Sequence, residues 1–495
     1  MEPAFTELKE RIAEIADLDA TSALLAWDQQ VKMPPGGGAV RAEQLATLGR
    51  LSHEALTSDE IGRLLDRLGP FEEAQPYDSD EASLIRLVRR DREKALRVPA
   101  ELQGEMRRAG SLAMPVWVKA RQEADFGSFI PALRRNLELR RRYVECFDDY
   151  DEPYDVLLDD FEPGMKTAEV RAVFDRLKQE QVPLVADARA EGERPLRDAT
   201  FPVERQQQFE LKVIERFGFH PAEWRLDTAV HPFATSIGTG DIRLTTRYSQ
   251  ENLDSLFSTM HECGHGLYEH GVDSALERTP LAHGASLALH ESQSRMWENL
   301  VGRSLPFWRA FYPELRSTYP EALDGVELED WYREVNWVEP SLIRVEADEA
   351  TYNLHVILRF ELEQELLADA IELQELPEIW NQRMEDYLGV RPPNDALGVL
   401  QDMHWAVGAI GYFSTYALGN VVSAQLWEKV NADIPDLEAQ FEQREFGELA
   451  AWLREHLWRH GRKYRPNELL ERITGGGLDP EPYLRYLQGK YPLAH

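Results

Sequence analysis

The stretch His261-Glu262-Cys263-Gly264-His265 is an HExxH sequence, the arrangement of residues that builds a catalytic zinc site on a helix. Two histidines four residues apart lie on the same face of a helix, one turn from each other. Both imidazoles can therefore bind one Zn²⁺, while the glutamate between them acts on the water that the metal holds. The stretch predicts metal ligands at His261 and His265 and a general base at Glu262.

The residues before the HExxH stretch support a helix there. Apolar residues recur at the i, i+3, i+4 and i+7 spacing of a buried helical stripe, at Leu253, Leu256, Phe257 and Met260. Gly271 is a plausible end for this helix. Gly264 inside the motif weakens a helix by roughly 1 kcal/mol relative to alanine, so we expect it to serve close packing or access to the metal.

A catalytic zinc needs a third protein ligand and one open position. A second helix is predicted from Ser286 to Trp297, ending near Gly302, and it carries Glu291 26 residues after His265. This separation lets the chain turn back and bring the carboxylate beside the two imidazoles, which would complete a His₂Glu site. The alternatives are a solvated glutamate or a partner for the helix dipole. His290 competes for the same position.

Most of the remaining sequence has the apolar spacing of helices. The clearest examples are the stretches 167–181, 206–217, 352–367 and 437–456. The exception is a hairpin pattern in which Phe233 to Ile237 and Ile242 to Tyr248 flank Gly238-Thr239-Gly240. We therefore expect a mainly α protein with a small antiparallel β-sheet that lines a substrate groove. Such an edge can hold a peptide as an added strand, through backbone hydrogen bonds.

Length and composition limit the organisation of the chain. At 495 residues the arithmetic suggests two to four domains, yet no Ser/Gly-rich or proline-rich linker divides the sequence. We predict a single domain over 1–495, with an N-terminal helical lobe at roughly 1–225 and a zinc and substrate-groove lobe at roughly 226–495.

The three tryptophans Trp27, Trp297 and Trp405 are interpreted as core aromatics.

The charge balance is strongly acidic, with 88 Asp and Glu against 55 Lys and Arg and a net charge of −33. A nucleic acid would be repelled by such a surface, so nucleic-acid partners are not expected. The acidic excess has two readings: a preference for basic peptides, or a strongly hydrated surface like that of proteins from a salt-rich cytoplasm. Charge bears on solubility and partners, and it does not determine the fold.

The location predicted from the sequence is the cytoplasm. No run approaches the roughly 18 apolar residues that span a bilayer, and the acidic start lacks the basic and apolar regions of a signal peptide. The two cysteines, Cys146 and Cys263, form no disulfide framework, which suits a reducing compartment.

Six short segments follow one another in the chain: His231-Pro232-Phe233, Asp241-Ile242-Arg243-Leu244-Thr245, the HExxH stretch, His290-Glu291-Ser292-Gln293, Ile343-Arg344-Val345-Glu346-Ala347-Asp348 and Gly398-Val399-Leu400-Gln401-Asp402-Met403-His404-Trp405. In this order they make the chain resemble the carboxypeptidase Taq family of metallocarboxypeptidases. The N-terminal Leu25-Ala26-Trp27-Asp28-Gln29 followed by Met33-Pro34 is also similar to that family.

The resemblance implies a large helical zincin-type fold with a deep groove between two lobes. It also implies a zinc-dependent metallocarboxypeptidase, a peptide hydrolase that releases single C-terminal amino acids with broad specificity. Glu262 would be the general base and a zinc-held water the nucleophile, with Co²⁺ as a possible substitute for Zn²⁺. The family further implies a homodimer, short or unfolded peptide substrates and poor cleavage where proline is terminal.

The resemblance also suggests catalytic roles for three residues outside the metal motif. His231 would hold the substrate backbone, and His404 and Tyr412 would lie near the reacting carbonyl, where a developing oxyanion needs hydrogen-bond donors. For each of them, the alternative is a hydrogen-bonded residue of the core.

A carboxypeptidase must bind a free carboxylate, and a guanidinium does this with two parallel hydrogen bonds. Arg344 is the first candidate for this substrate-binding role and Arg243 the second. Each has a structural alternative, in which it pairs with a nearby acid such as Asp348 or Asp241.

Two other functions compete with the exopeptidase reading. One is an endopeptidase or dipeptidyl carboxypeptidase on the same helical scaffold. The other is a non-catalytic peptide-binding or metal-binding protein, which predicts a lost base or a lost ligand. In this sequence His261, Glu262, His265 and Glu291 are all present.

Overall fold

A computed structural model describes residues 3–188, 194, 196 and 199–491 of the chain. The fold is mainly helical, as predicted, with 66% of its residues in helices. Within the described residues the α-helices are α1 Pro3–Val31, α2 Gly38–Leu56, α3 Asp59–Glu73, α4 Asp80–Arg97, α5 Ala100–Glu123, α6 Phe126–Val144, α7 Pro153–Leu158, α8 Thr167–Ala188, α9 Val203–Phe217, α10 Asp254–Gly271, α11 Leu287–Arg295, α12 Leu305–Thr318, α13 Leu328–Val335, α14 Tyr352–Leu367, α15 Leu376–Leu388, α16 Ser414–Asp433, α17 Leu437–Glu442, α18 Gly447–His456, α19 Pro466–Thr474 and α20 Glu481–Lys490.

One small sheet interrupts the helices. Its strands are β1 Trp224–Thr228, β2 Ala234–Gly238 and β3 Asp241–Thr246, in the spatial order β1-β3-β2. Strands β2 and β3 pair antiparallel and form the predicted hairpin. Strand β1 was not predicted, and it pairs with β3 in parallel. The small sheet and its antiparallel hairpin are confirmed, and the parallel pairing of β1, which was not expected, makes the sheet mixed. Strand β2 forms one edge.

The chain divides into two compact units, each made of three segments. Unit 1 consists of residues 1–96, 194–335 and 426–475, and unit 2 of residues 97–193, 336–425 and 476–495. These units do not follow the predicted division near residue 225, because each takes segments from both halves of the chain.

Unit 1 contains an apolar core around its N-terminal helices. In α1 the buried residues Phe5, Leu8, Ile12 and Ile15 recur every three or four positions, so they form one face of the helix. This face packs with buried leucines and isoleucines of α3 and α4, which follow the same spacing. Burial of these side chains, worth roughly 1.5–3 kcal/mol each, holds the three helices together.

The four helices that were predicted from apolar spacing are all present, with one difference. The stretch 437–456 is not one helix but two, α17 and α18. Between them Arg444 has a φ of +60°, which a continuous α-helix does not allow. Its guanidinium binds the carbonyl of Ala310 and the carboxylate of Glu314, so tertiary contacts within unit 1 fix the break.

The structure bears on the predictions about membranes and cysteines as well. No helix in the described ranges is both long enough and apolar enough to cross a bilayer. Cys146 and Cys263 are both free thiols. The three tryptophans interpreted as core aromatics, Trp27, Trp297 and Trp405, are buried, as predicted.

Candidate active site

The HExxH stretch lies in the middle of α10 in unit 1, as predicted. The helix begins at Asp254 and ends at Gly271, and its apolar face, which includes Leu256, Phe257 and Met260, is buried. The second predicted helix is α11, which continues as a π-helical turn over Met296–Val301 and ends before Gly302. Ser286 caps it, because its side chain accepts a hydrogen bond from the backbone N–H of Leu289.

His261, His265 and Glu291 converge on one point. The Oε2 atom of Glu291 lies 3.7 Å from Nε2 of His261 and 3.5 Å from Nε2 of His265. Among the described residues, these three are the cluster of His, Cys, Asp and Glu side chains whose ligand atoms lie within 4.8 Å of one another. Two imidazole nitrogens and one carboxylate oxygen are a donor set that suits a catalytic divalent ion such as Zn²⁺.

The carboxylate of Glu291 is held in its charged form. Burial alone would raise its pKa, but Arg295, His261 and His265 together keep that pKa well below its ordinary value. Arg295 donates from Nε to Oε1 of Glu291 at 2.8 Å, which leaves Oε2 directed at the histidines. A charged carboxylate and neutral imidazoles are the forms that bind metal.

Each histidine has a hydrogen-bond partner for its other ring nitrogen. Nδ1 of His261 lies 2.9 Å from Oε2 of Glu298, and Nδ1 of His265 lies 2.5 Å from Nδ1 of His290. Burial lowers the pKa of His265 to about 4, so this imidazole is neutral near pH 7. His290, considered above as a rival ligand, faces the back of His265 and lies outside the ligand cluster.

Glu262 lies on α10 between the two histidine positions and is 7% exposed. Burial raises the pKa of its carboxyl group to about 7, against the opposing charge of His261. A carboxyl group with such a pKa can accept a proton and release it again near neutral pH. This is the property that a general acid–base residue needs.

Gly264 allows α11 to approach α10 closely. A Cβ atom at this position would lie 2.6 Å from the carbonyl oxygen of Gln293 and 2.7 Å from Cα of Ser294. Both contacts are with backbone, which cannot rotate away. The close packing brings Glu291, two residues before Gln293, to the histidines.

We expect Gly264→Ala to destabilise the protein even though alanine favours helix. The clash should cost about 1–3 kcal/mol, more than the roughly 1 kcal/mol gained in helix propensity. Thermal unfolding of the variant and the wild type measures this difference in stability. Gly49→Ala is the matched control, because a Cβ at this helical glycine of α2 meets nothing within 4 Å. It should leave stability unchanged or raise it, and an equal loss in both variants would contradict the role of close packing.

Glu210 of α9 anchors the first two turns of α10. The residue is 1% exposed, and its carboxyl group accepts hydrogen bonds from the Ser255 hydroxyl at 2.5 Å and the Thr259 hydroxyl at 2.8 Å. Burial raises its pKa to about 7, and the two hydroxyl groups lower it only in part.

This buried carboxyl group predicts a pH dependence of stability. In the unfolded chain Glu210 ionises near 4.5, whereas in the folded protein it ionises near 7. The folded state therefore binds more protons between these values, and its stability falls as pH rises from about 4.5 to about 7, by about 3 kcal/mol in total. Denaturant unfolding across this range should show less loss for Glu210→Gln than for the wild type. The same slope in both proteins would exclude Glu210 as its source.

The edge strand β2 lies beside the helix that carries the histidines. A cavity of about 300 Å³ is lined by Ala234, Thr235 and Ser236 of β2 and by His265 and Gly266 of α10, together with Ala23, Ile242, Glu269, His283 and His290. A cavity that reaches from a strand edge to a metal-ligand candidate offers room for part of a peptide.

The two other candidates in unit 1 have different surroundings. His231 is exposed, in the turn between β1 and β2. Arg243 of β3 donates to both carboxylate oxygens of Asp241, at 2.9 and 2.8 Å, and its guanidinium lies 4.4 Å from the ring centre of Trp27. Asp241, the alternative partner considered above for Arg243, is therefore its ion-pair partner in the structure.

Arg344 lies in a buried cluster of charged side chains in unit 2, together with Asp402 and Arg359. Arg344 is 4% exposed and donates to Oδ1 of Asp402 at 2.8 Å and to the Tyr352 hydroxyl at 2.8 Å. Arg359 donates to the other carboxylate oxygen of Asp402, at 2.7 Å. Asp348 is not the partner of Arg344, because its Oδ1 accepts from backbone N–H groups at the start of α14.

His404 and Tyr412 lie in the same part of unit 2. Their rings are 5.3 Å apart, and Nε2 of His404 lies 3.4 Å from the Tyr416 hydroxyl. Burial lowers the pKa of His404 to about 4, so its imidazole is neutral near pH 7. Glu363 holds the segment that carries both residues, since it accepts from Trp405 Nε1 at 2.8 Å and from the Gly411 N–H at 2.9 Å.

Several charged residues that contact these candidates, within one unit or the other, were not identified from the sequence. Glu298 could have been found, because it follows Glu291 by seven positions and so lies on the same helical face, with Arg295 between them. Glu269 and Asp402 gave no such signal. Their partners His290 and Arg344 are 21 and 58 residues away in sequence.

Known proteins resemble this chain over nearly its whole length. The sequence profile of the family described as carboxypeptidase Taq (M32) metallopeptidase matches residues 7–491. Thermostable carboxypeptidase 1 of Thermus thermophilus is 41% identical over 503 residues, covering 99% of this chain and 98% of the relative. Carboxypeptidase 1 of Bacillus subtilis is 36% identical over 494 residues, with the same coverage.

Solved structures agree with this resemblance. The M32 carboxypeptidase from Deinococcus radiodurans R1 superposes with a TM-score of 0.95 at 42% identity, covering 99% of both chains. The Pyrococcus furiosus carboxypeptidase superposes with a TM-score of 0.96 at 37% identity, again covering 99% of both.

Proposed function

Because this chain belongs to the carboxypeptidase Taq (M32) family and is a metallocarboxypeptidase, we propose that it is zinc-dependent and removes C-terminal residues one at a time from peptides, with broad side-chain tolerance. The observation that carries the proposal is the convergence of His261, His265 and Glu291, with Glu262 on the same helix. The relatives that match it are named carboxypeptidases, which supports the same reaction.

The donor set favours zinc over hard cations such as Mg²⁺, which prefer oxygen ligands, and Co²⁺ suits the same set. A divalent ion held by His261, His265 and Glu291 would polarise the scissile carbonyl and lower the pKa of a water molecule beside it. The chain's own residues supply the proton transfers and hold the peptide.

Glu262 is the general base of this proposal. Its carboxylate takes a proton from the attacking water onto a carboxylate oxygen and then delivers it to the leaving amine. The raised pKa of its buried carboxyl group, about 7, supports both steps, because neither the protonated nor the ionised form is strongly favoured near neutral pH.

His231, His404 and Tyr412 act on the substrate in this proposal. His231 holds the peptide backbone, and the other two donate hydrogen bonds to the oxyanion that forms during attack. Neutral His404 can donate from one ring nitrogen, and the tyrosine hydroxyl is a donor at every pH below its ionisation. The proposal for His231 rests on family resemblance.

Arg344 binds the free C-terminal carboxylate of the substrate in this proposal, and Arg243 is the second candidate. The hydrogen bonds found among the described residues use three of the five N–H groups of the Arg344 guanidinium. Arg243 instead donates from Nε and Nη2 to the two carboxylate oxygens of Asp241. Two parallel hydrogen bonds from one guanidinium are the usual recognition of a carboxylate.

The test is a timed digestion of an unstructured peptide, with the products identified by mass spectrometry and the protein's metal measured in parallel. We expect a ladder of single-residue losses from the C terminus, abolished by a chelator and restored by Zn²⁺ or Co²⁺. Losses in steps of two would favour a dipeptidyl carboxypeptidase, and internal cleavage an endopeptidase. Metal-loaded protein that cleaves nothing would favour a binding protein.

We also propose that the enzyme acts as a homodimer in the cytoplasm on short or unfolded peptides, and that it cleaves poorly before a terminal proline. These features rest on the family resemblance and, for the compartment, on cysteine usage. Sedimentation measures the mass of the particle, which should be twice the 56.9 kDa of one chain. A monomer, or activity recovered only outside the cytoplasmic fraction, would contradict these proposals.

A further inference from the structure

We propose that His290 and Glu269 are positioning residues that fix the ring of His265 for the metal, through a chain of hydrogen bonds from carboxylate to imidazole to imidazole. Nδ1 of His265 lies 2.5 Å from Nδ1 of His290, and Nε2 of His290 lies 2.9 Å from Oε1 of Glu269. The inference rests on the proposed metal site and adds the two groups that orient the ring of its second histidine ligand, His265.

The positions of the protons follow from the atoms that face each other. Nε2 of His265 points to the ligand cluster, so it must be bare in order to bind an ion, and the ring proton lies on Nδ1. The facing Nδ1 of His290 must then accept this proton, because two N–H groups cannot bond to each other. The proton of His290 therefore lies on Nε2, which donates to Glu269.

Glu269 ends the chain because a carboxylate only accepts. Its Oε1 atom also accepts from the Gly284 N–H at 3.0 Å, and its Oε2 atom lies 3.1 Å from Nδ1 of His283. These contacts hold the buried carboxylate in one orientation. One acid at the end of the chain thus determines the tautomer of two imidazoles.

The two histidine ligands are supported differently. His261 meets a carboxylate directly, at 2.9 Å from Oε2 of Glu298, which Arg295 also contacts at 3.3 Å. His265 reaches its carboxylate only through His290. The ring of His290 also packs against the ring of Tyr268, with centroids 5.3 Å apart and planes tilted by 34°, and this contact limits its rotation.

Metal affinity and the spectrum of a bound ion test this inference on the full-length protein. Removing such a supporting partner typically weakens metal binding 10–100-fold. We expect this loss for His290→Phe, which keeps a ring but removes the acceptor, when bound Zn²⁺ is titrated against a chelator. Glu269→Gln should shift affinity in the same direction by a smaller factor, because the amide oxygen still accepts. The visible absorption of Co²⁺-loaded protein should change in both variants.

Two further variants calibrate the measurement. Glu298→Gln changes the carboxylate that contacts His261 directly. Its loss of metal affinity gives the size of the effect expected when a ligand histidine loses a carboxylate partner. His220→Asn is the matched control, since His220 is an exposed histidine of unit 1 that takes no part in this chain of hydrogen bonds. It should keep wild-type affinity within about twofold and an unchanged Co²⁺ spectrum.

Wild-type affinity and spectrum in both His290→Phe and Glu269→Gln would overturn the positioning role while leaving the proposed function intact. If His290→Phe does not fold by circular dichroism, Glu269→Gln decides alone. A wild-type protein that binds neither Zn²⁺ nor Co²⁺ would instead refute the proposed metal site, and this inference with it. The two failures are therefore distinguished by the wild-type titration.

Discussion

Glu262→Gln should abolish peptide hydrolysis while the metal stays bound. We expect kcat to fall by a factor on the order of 10²–10⁴, the usual contribution of a general acid–base residue. Glutamine has the shape of glutamic acid but cannot take a proton from water at neutral pH. Because Glu262 is not one of the three converging residues proposed to hold the metal, the metal content should remain that of the wild type.

The measurement is steady-state hydrolysis of one peptide, with zinc determined in the same samples. Glu334→Gln is the matched control: it too is a buried carboxyl group of unit 1 with a pKa raised by burial, but it pairs with Arg194. The control should retain kcat within about twofold, whereas Glu262→Gln should not. Retention of more than about a tenth of the wild-type kcat by metal-loaded Glu262→Gln would remove Glu262 from its assigned role.

The features predicted from the sequence were those that local spacing determines. Helix α10 and the hairpin of β2 and β3 depend on residues close together in the chain, and both were found. Strand β1 was missed because its pairing is nonlocal: Trp224 lies opposite Ile242, and only the assembled sheet defines it as a strand. Short polar sequences such as Trp224–Thr228 carry little strand signal by themselves.

The convergence of His261, His265 and Glu291 could be predicted because two of them share one helical turn and the third occurs in a family segment. Of their hydrogen-bond partners, Glu298 had a signal in the sequence, whereas His290 and Glu269 did not. The contact of His290 with His265 exists only because Gly264 lets α11 approach α10, a tertiary event that no spacing rule describes. The partner of Arg344 could not be predicted either: Asp348, the acid named in its structural alternative, accepts from backbone N–H groups just before α14, while Asp402 comes from a distant segment.

The second large effect is expected on the recognition of the free C-terminal carboxylate of the substrate. If Arg344 binds it, the wild-type enzyme should hydrolyse a peptide with a free C terminus far faster than the same peptide with an amidated one. A hydrogen bond to a charged group contributes roughly 1.5–3 kcal/mol, so a pair of them corresponds to a ratio of kcat/KM on the order of 10²–10⁴. Equal rates on both peptides would rule out an exopeptidase that recognises a free carboxylate.

Arg344→Met should remove this discrimination. We expect kcat/KM to fall by on the order of 10²-fold or more for the free peptide and to change little for the amide, so that the ratio approaches one. The fold should survive with lower stability, because Asp402 keeps its hydrogen bond to Arg359 but its Oδ1 atom loses the two hydrogen bonds from Arg344. A folded variant with a lower unfolding temperature, with the ratio lost, is the expected pair of results.

Arg243→Met is the matched control for this experiment, since it removes the second candidate arginine. Arg243 already donates to both oxygens of Asp241, so its loss should leave the ratio between free and amidated peptides near the wild-type value. The opposite pattern, with the ratio lost in Arg243→Met and kept in Arg344→Met, would transfer the carboxylate-binding role to strand β3. The ratio separates the two arginines where overall activity would not, because any damage to the metal site lowers the rates on both peptides alike.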